Sequence, residues 1–343
     1  MQSASEYLRQ LSTRARKHRH AWWLTSEQTG TEESRRTKML ATLAFYGQEH
    51  LAEKLESRID QAPSVAALSS DLRGVVDQTA HDLQDYLQPE EHEAFKRTLF
   101  GLLPLSAVDA FCLDRTRWGE QLDGYLVIMN EGLFVCVQLL AKAMLLENLD
   151  GDMAEYKQSG KGFHRAAIEH FLAPSAAHAG RVHFEDVPPE IEGALAAAQM
   201  RMVILLLQFV LLHELGHIVH RDFELMGAYR FHIGEAEDST PASTEAYWAA
   251  EYSADRFALE RILARVRSGA GRWANFVAIH TFFHWLDGVE RVAGQPLCPL
   301  HPPPSARAGA LRALMVDREP LDAHAAPLVE KAFAILESWS DRE

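Results

Sequence analysis

The chain has 343 residues, of which 47% are hydrophobic, so it is long enough to form one large or two ordinary domains around a sizeable core. Its 48 acidic and 34 basic residues give a formal net charge of -14, which provides no general attraction to phosphate groups. This charge argues against nucleic acid as a partner and against binding to an anionic membrane surface.

The cysteines and the N-terminal sequence indicate the cellular compartment of the protein. Cys112, Cys136 and Cys298 lie far apart and show no CxxC spacing, so neither a disulfide framework nor a cysteine-rich metal site is indicated. The first residues, MQSASEYLRQLSTRARK, have no apolar core after their charges and are not typical of a secretory signal. Reduced cysteines without such a signal favour a cytoplasmic protein.

The first part of the chain has the pattern of helices. Over residues 34–59 and 64–87, apolar side chains recur at spacings of three and four residues. The sequence QPEEHEAF then provides a proline and acidic residues typical of the first turn of another helix. We therefore predict a helical N-terminal region over residues 1–103 and a second domain over residues 104–343. One hypothesis is that the N-terminal region covers a cleft in the second domain or recruits a target.

A small β-hairpin is predicted at the start of the second domain. VDAFCL and YLVIM, at residues 108–113 and 125–129, are short apolar runs typical of strands, and the polar sequence DRTRWGEQLDG separates them. From Gly132 the sequence continues as an apolar helix, which stops at the Asp-Gly dipeptide of LENLDG. Residues 152–189 are expected to mix short helices with loops.

A long helix is predicted from near Ile191 through the apolar run MVILLLQFVLL into HELGHIVH. Apolar residues occupy all sides of this run, which indicates a helix in the interior of a domain. The run is bounded by Arg201 and His213 and is shorter than the roughly 20 residues that a bilayer-spanning helix needs. Another apolar stretch, over residues 125–146, is interrupted by polar and charged side chains. We therefore expect no membrane insertion.

The sequence HELGH presents two histidines at the spacing of a metal site. His213 and His217 are four residues apart, so their imidazoles project from one face of a helix and can bind one zinc ion. Glu214 is turned about 100° from His213, which lets its carboxylate reach a zinc-bound water without being a ligand itself. We therefore predict zinc as the cofactor and Glu214 as the general base of a peptidase.

A catalytic zinc site needs a third protein ligand and one position open to water. The continuation HELGHIVHRDFE lacks the glycine and the third histidine of the metzincins. The next helix, predicted over residues 244–266, carries Glu251 in a small and apolar stretch, where a buried carboxylate must be paired or metal-bound. Ala250 and Ala254 would let the two helices approach closely, and Asp255 is placed to accept the free N–H of a liganding histidine. Further helices are expected over residues 273–292, 305–316 and 320–339.

These motifs resemble the gluzincin zinc metallopeptidases that include the type I CAAX prenyl endopeptidase and the HtpX-type heat-shock proteases. Ahead of the zinc helix, that family has a strand hairpin similar to DAF at residues 109–111 followed here by YLVIMNEGLF. After the third ligand, it has HPP and then an arginine, similar to residues 301–303 and Arg307 here. The blocks occur in the family's order over approximately residues 108–311. A looser similarity is to the Lit-type phage-exclusion peptidases, soluble HExxH proteins that cut one host protein.

The resemblance implies a zincin-like α+β fold, mainly α with a small β-hairpin or sheet. It implies that the hairpin lies over the active-site helix and binds an extended peptide along its edge strand. Arg307 and His301 would be candidates for stabilising the oxyanion of the transition state. Alternatively, Arg307 braces Asp255 or another carboxylate. The family's transmembrane helices have no counterpart in this sequence, which implies a soluble protease that acts on protein or peptide substrates.

Two other functions stay open. One is a zinc-bearing, non-catalytic regulatory or interaction protein, in which a fourth protein ligand closes the metal site. The other is a helical interaction protein in which HExxH occurs by chance. Metal analysis distinguishes the second from any zinc protein, and an open coordination position distinguishes a peptidase from the first. The favoured prediction is a soluble zinc-dependent endopeptidase.

Overall fold

The computed structural model describes residues 71–103, 108, 110–113, 124–148, 157–172, 189–222, 241–294, 296, 301–321 and 325–340. Within these ranges the chain is mainly helical with one small sheet, which confirms the predicted α+β fold class. The described strands are β1 (Thr98–Leu103), β2 (Ala110–Leu113) and β3 (Tyr125–Asn130). The described helices are α1 (Asp71–Asp82), α2 (His92–Lys96), α3 (Glu131–Glu147), α4 (Lys157–Leu172), α5 (Pro189–Val219), α6 (Pro241–Ala264), α7 (Gly269–Ala293), α8 (Pro304–Arg318) and α9 (Ala326–Ser340).

The sheet contains the predicted hairpin and one further strand. Strands β2 and β3 pair antiparallel, from Ala110 opposite Met129 to Leu113 opposite Leu126. Strand β1 pairs with β3 in parallel on the other side, so the strand order is β1-β3-β2. Strand β3 is buried from Leu126 to Asn130 and continues directly into α3. The hairpin prediction is confirmed.

Strand β1 differs from the sequence prediction, which extended helical structure to about residue 103. Its sequence TLFGLL is too short and too uniformly apolar to show a period, and its pairing partner β3 lies much further along the chain. The helices before it fit the prediction where they are described, as α1 and the short α2. The predicted helix over residues 34–59 and the start of the one over 64–87 lie outside the described residues.

Helix α5 passes through the centre of the fold. Residues 206–218 are all buried, which agrees with the prediction of a helix enclosed on every side. The described part of the chain contains one helical segment long and apolar enough to cross a bilayer, Leu195–Val219 in α5, which exceeds the shorter run considered from the sequence. Of its apolar window, 56% is buried within the protein, and the central helix of a folded domain has the same composition.

The segment before β1 is tied to α5 and α6. Glu91 is buried and accepts a hydrogen bond of 2.9 Å on Oε2 from Nε of Arg261, which lies on α6. Tyr86 donates its hydroxyl to Gln208 of α5 over 3.1 Å. The segment therefore contacts both the central helix α5 and α6.

Helices α6 to α9 occupy the regions predicted for them, but α4 does not follow the expected mixture of short helices over residues 152–189. It is one continuous helix from Lys157 to Leu172. Gly160 within it lies against α3, where an added Cβ would come within 2.6 Å of Cγ of Glu147. Cys112 and Cys136 are buried and unbridged, and Cys298 lies outside the described residues.

Candidate metal centre and active site

Helix α5 places its two motif histidines one above the other on the same face. His213 and His217 are 8% and 3% exposed, and their Nε2 atoms are 3.2 Å apart. Their rings meet edge to face, with centroids 4.8 Å apart. The two Nε2 atoms therefore face one position between the rings, the metal point.

Helix α6 brings Glu251 to the same point. Its carboxylate is buried, with Oε2 3.4 Å from Nε2 of His213 and Oε1 3.5 Å from Nε2 of His217. Two ligands held about 2.0–2.1 Å from a tetrahedral zinc ion lie about 3.3 Å apart. The three donors thus have the mutual spacing of zinc ligands, and together they form a group that could hold a metal ion.

The two helices can approach because small residues line their contact. A Cβ added to Gly216 would come within 3.1 Å of Cα of Ala254 and 3.2 Å of Cδ1 of Phe257. Ala254 is fully buried at this contact, and Ala250 is 7% exposed. The sequence had indicated the two alanines, and Gly216 completes the contact from the α5 side.

Asp255 lies one turn beyond Glu251 and faces His213. Its Oδ1 is 2.9 Å from Nδ1 of His213, and its carboxylate is 1% exposed. Burial would lower the pKa of His213, but hydrogen bonds to Asp255 and Glu251 outweigh this effect and leave the pKa raised. Since a carboxylate accepts hydrogen bonds, this contact directs Nε2 of His213 to the metal point.

Asp222 contacts the second histidine, and the sequence analysis did not single it out. Its Oδ2 lies 2.8 Å from Nδ1 of His217, and both side chains are buried. Burial would lower the pKa of His217, but Asp222 and Glu251 raise it to about 10. The available signal was an acidic residue immediately after the zinc helix, five positions beyond His217.

Glu214, the predicted general base, is 5% exposed and lies near enough to His213, His217 and Glu251 for their charges to act on its carboxylate. Burial raises its pKa, while the charges of His213 and His217 act in the opposite direction. Cys112 of β2 contributes a side-chain hydrogen bond to this carboxylate. The Oε2 atom is buried and has no hydrogen-bond partner among the residues that the structure describes. The carboxylate therefore has an oxygen that can take a proton from a bound water.

The structure brings Arg307 and His301 to the same centre. Arg307 donates two hydrogen bonds to Asp255, from Nε to Oδ2 over 2.7 Å and from Nη2 to Oδ1 over 2.6 Å. Its Nη1 is also 3.2 Å from Oε2 of Glu251. His301 reaches Glu251 from the other side, with Nε2 3.5 Å from Oε1. Burial lowers the pKa of His301, although 28% of its side chain stays exposed.

Other histidines of the described residues do not join the donor group. His220 is exposed and its Nδ1 lies 3.0 Å from Oγ of Ser253. His280 packs among aromatic rings, and His284 contacts a backbone carbonyl of α9. His232 lies outside the described residues.

Comparison with known families points to the same part of the chain. The family model described as Peptidase U49 matches residues 189–316, a range that begins with α5 and contains the three donors, Glu214 and the side chains of α8 near them. This Lit-type match supports a peptidase, a hydrolase whose substrates are proteins or peptides. It favours the looser of the two sequence resemblances, while the resemblance to CAAX and HtpX-type proteases stays an expectation. No curated protein and no solved structure matches the chain.

Proposed function

We propose that the chain is a soluble, cytoplasmic zinc-dependent endopeptidase of gluzincin type. In this proposal His213, His217 and Glu251 hold the zinc ion, and Glu214 is the general base. The observation that carries the proposal is the spacing of the three donors, which lie 3.2, 3.4 and 3.5 Å apart, beside a buried carboxylate with an unpartnered oxygen. The match to a peptidase family supports it independently.

The donor set suits zinc at a catalytic site. Two imidazole nitrogens and one glutamate oxygen form a ligand set typical of zinc peptidases, with a fourth position left for water or substrate. When bound, zinc supplies a Lewis acid that polarises a peptide carbonyl and acidifies water. Glu214 then accepts the proton of the attacking water and delivers it to the leaving amine.

Of the two oxyanion candidates, we assign the role to His301. Arg307 directs its guanidinium at Asp255 and Glu251, so it acts by bracing these carboxylates, the alternative that the sequence left open. His301 stands next to Glu251 and keeps an exposed surface, which lets its ring donate to the oxygen of a bound substrate.

The substrate is proposed to be an extended segment of a protein. Strand β2 is an edge of the described sheet, and it packs against α5 close enough for Cys112 to contact Glu214. A peptide added beside β2 would lie alongside the zinc helix, because strand addition keeps the two backbones about 5 Å apart. This arrangement brings a scissile bond towards Glu214.

A non-catalytic zinc protein is less well supported. A structural zinc site is closed by four protein ligands. Within the described ranges, the donor group contains three residues and no fourth. A structural zinc site would also not require the buried carboxylate of Glu214 next to its ligands.

The decisive experiment compares the wild-type protein with Glu214→Gln in the native host. New protein N-termini are identified by proteomics in cells that express each form, and zinc content is measured on the purified proteins. We expect cleavage products with the wild type alone and one zinc ion per chain in both, since glutamine keeps the shape of Glu214 but accepts no proton. Glu245→Gln, which changes an exposed glutamate of α6, serves as the matched control and should cleave as the wild type does.

Two outcomes would contradict the proposal. Identical products from the wild type and Glu214→Gln would show that Glu214 is not the base. A wild-type protein without zinc after purification and reconstitution would remove the metal mechanism altogether.

A further inference from the structure

The end of α5 has an unusual backbone conformation. Arg221 has a φ of 58°, which places a non-glycine residue in the left-handed region. Among the residues that the structure describes, it is the one non-glycine residue with positive φ. Its N–H donates to the carbonyl of Ile218 over 3.2 Å, so the chain turns back on the last helical turn. Glycine usually occupies such a position, and an L-residue there costs about 1 kcal/mol.

The left-handed residue is followed at once by a buried acid. Asp222 is 4% exposed, whereas Arg221 is exposed. A helix that continued without the turn would carry residue 222 onwards along its axis, away from His217. The turn instead returns the carboxylate to His217, where Oδ2 and Nδ1 are 2.8 Å apart. Strained backbone of this kind persists where the surrounding structure requires it, often at functional sites.

The two histidines of the metal point therefore each have their own carboxylate. Asp255 reaches Nδ1 of His213 from α6, and Asp222 reaches Nδ1 of His217 from the turn that follows α5. An ionised carboxylate only accepts, so Nδ1 of each ring donates, and in the neutral imidazole that metal binding requires the lone pair is on Nε2. Both Nε2 atoms then point at Glu251.

We propose that Asp222 is a positioning residue for His217, and that the left-handed turn at Arg221 exists to deliver it. Asp222 fixes the tautomer and orientation of the imidazole and raises its basicity as a ligand. This inference rests on the proposed zinc site. Loss of such a carboxylate partner lowers metal affinity about 10- to 100-fold in zinc proteins.

The test measures zinc affinity on the full chain, by competition with a chromophoric chelator. Asp222→Ala should raise the zinc dissociation constant about 10- to 100-fold. Asp222→Asn keeps the size of the side chain and serves where the alanine variant does not fold. It should weaken zinc binding less than alanine does, because a neutral amide oxygen is a weaker acceptor for Nδ1–H than a carboxylate. The visible absorption of the Co²⁺-substituted protein should shift in both variants, since the ligand geometry changes.

A second pair of variants tests the turn. Arg221→Gly adopts a positive φ without strain and should keep the wild-type zinc affinity, with equal or higher thermal stability. Arg221→Val resists this conformation because its side chain is β-branched, and it should weaken zinc binding to a similar extent as Asp222→Ala. If Arg221→Val lowers the thermal stability but leaves the zinc affinity unchanged, the turn has a role in stability alone and the inference is wrong.

The outcomes separate this inference from the proposed function. If the wild type binds zinc and both Asp222 variants bind it equally well with an unchanged Co²⁺ spectrum, the positioning role is wrong and the peptidase proposal stands. If Arg221→Val binds zinc with the wild-type affinity, the left-handed turn is not needed to place Asp222 next to His217. If the wild type binds no zinc, both the proposed function and this inference fail.

Discussion

Arg307 holds both carboxylate oxygens of Asp255, with Nε 2.7 Å from Oδ2 and Nη2 2.6 Å from Oδ1. The same guanidinium stacks over the ring of Phe283, 4.9 Å from its centroid. The planar fork of arginine matches a carboxylate in two parallel hydrogen bonds, which lysine cannot reproduce. Helix α8 is thereby joined to the helix that carries Glu251.

Removal of this guanidinium should destabilise the protein strongly. Arg307→Met keeps much of the side-chain volume but removes the permanent cation beside the buried carboxylates of Asp255 and Glu251, so we expect a loss of about 3–5 kcal/mol in the free energy of unfolding. Urea denaturation of the metal-free protein measures this loss. Arg318, on the same helix as Arg307, forms an exposed ion pair with Glu260 of α6. Arg318→Met is the control and should cost less than about 1 kcal/mol. Equal effects of the two substitutions would contradict the bracing role.

Glu251→Ala should reduce bound zinc. The substitution removes one of three donors and leaves a site that must fill two positions with water, so the metal dissociates more readily. Metal analysis after dialysis gives the zinc content of the variant and the wild type. Glu245→Ala, on the exposed face of the same helix, should keep full zinc. Full retention by Glu251→Ala would identify another residue as the third ligand.

Gly216→Ala separates helix packing from helix propensity. Alanine stabilises a helix by up to about 1 kcal/mol over glycine. At residue 216, however, its Cβ would lie 3.1 Å from Cα of Ala254, so α6 must shift by a few tenths of an ångström. We expect a change in the free energy of unfolding below about 1 kcal/mol, together with a severalfold weaker zinc affinity because Glu251 moves with α6.

The matched control for this substitution is Gly309→Ala on α8. No atom lies within 4 Å of a Cβ built on Gly309, and the residue is exposed. This variant should gain about 0.5–1 kcal/mol in stability and bind zinc as the wild type does. If Gly216→Ala gave the same gain and the same affinity, the close helix contact would not set the ligand geometry.

His280 should make stability depend on pH. It packs against the rings of Phe276 and Phe333, and burial, with the charges of His284 and Arg312, lowers its pKa to about 4. As pH falls below about 6.5, the unfolded chain takes up the proton before the folded one. The stabilisation is therefore present above pH 6.5 and is lost as pH falls towards 4, by up to about 3 kcal/mol.

Chemical denaturation at several pH values from 7 to 4.5 measures this dependence. His280→Phe has no titrating group, so its stability should fall less steeply over this range than that of the wild type. Parallel curves for the two proteins would show that His280 does not contribute to the dependence.

The spacing of residues in the sequence was enough to predict those site residues that lie within one continuous helix. The spacing of His213 and His217, together with an apolar run before them, predicted both the helix and the shared face. Glu251 was predicted because a lone carboxylate in a small, apolar helical stretch needs a partner. In each case the relevant information lies within a few residues, where helix geometry alone determines which side chains meet.

The parts that were missed depend on distant contacts or on a single backbone angle. Strand β1 is defined by its parallel partner, and α4 contains glycines that look like breaks, although Gly160 serves a close contact with Glu147. Asp222 reaches His217 only because Arg221 adopts a positive φ, which no hydrophobic pattern encodes. The choice between two roles for Arg307 needed the distance to Asp255.

The buried pairing of Glu91 with Arg261 bears on how small the protein can be made. A fragment cut at the predicted boundary, residues 104–343, keeps every proposed catalytic residue but loses Glu91 and the strand that covers one edge of β3. Arg261 would lose its counter-charge, and the core would lose buried side chains of this segment such as Val76 and Leu83. The shortest fragment expected to fold unaided therefore includes residues 71–103. Folding thus requires a longer part of the chain than the part that carries the proposed catalytic residues.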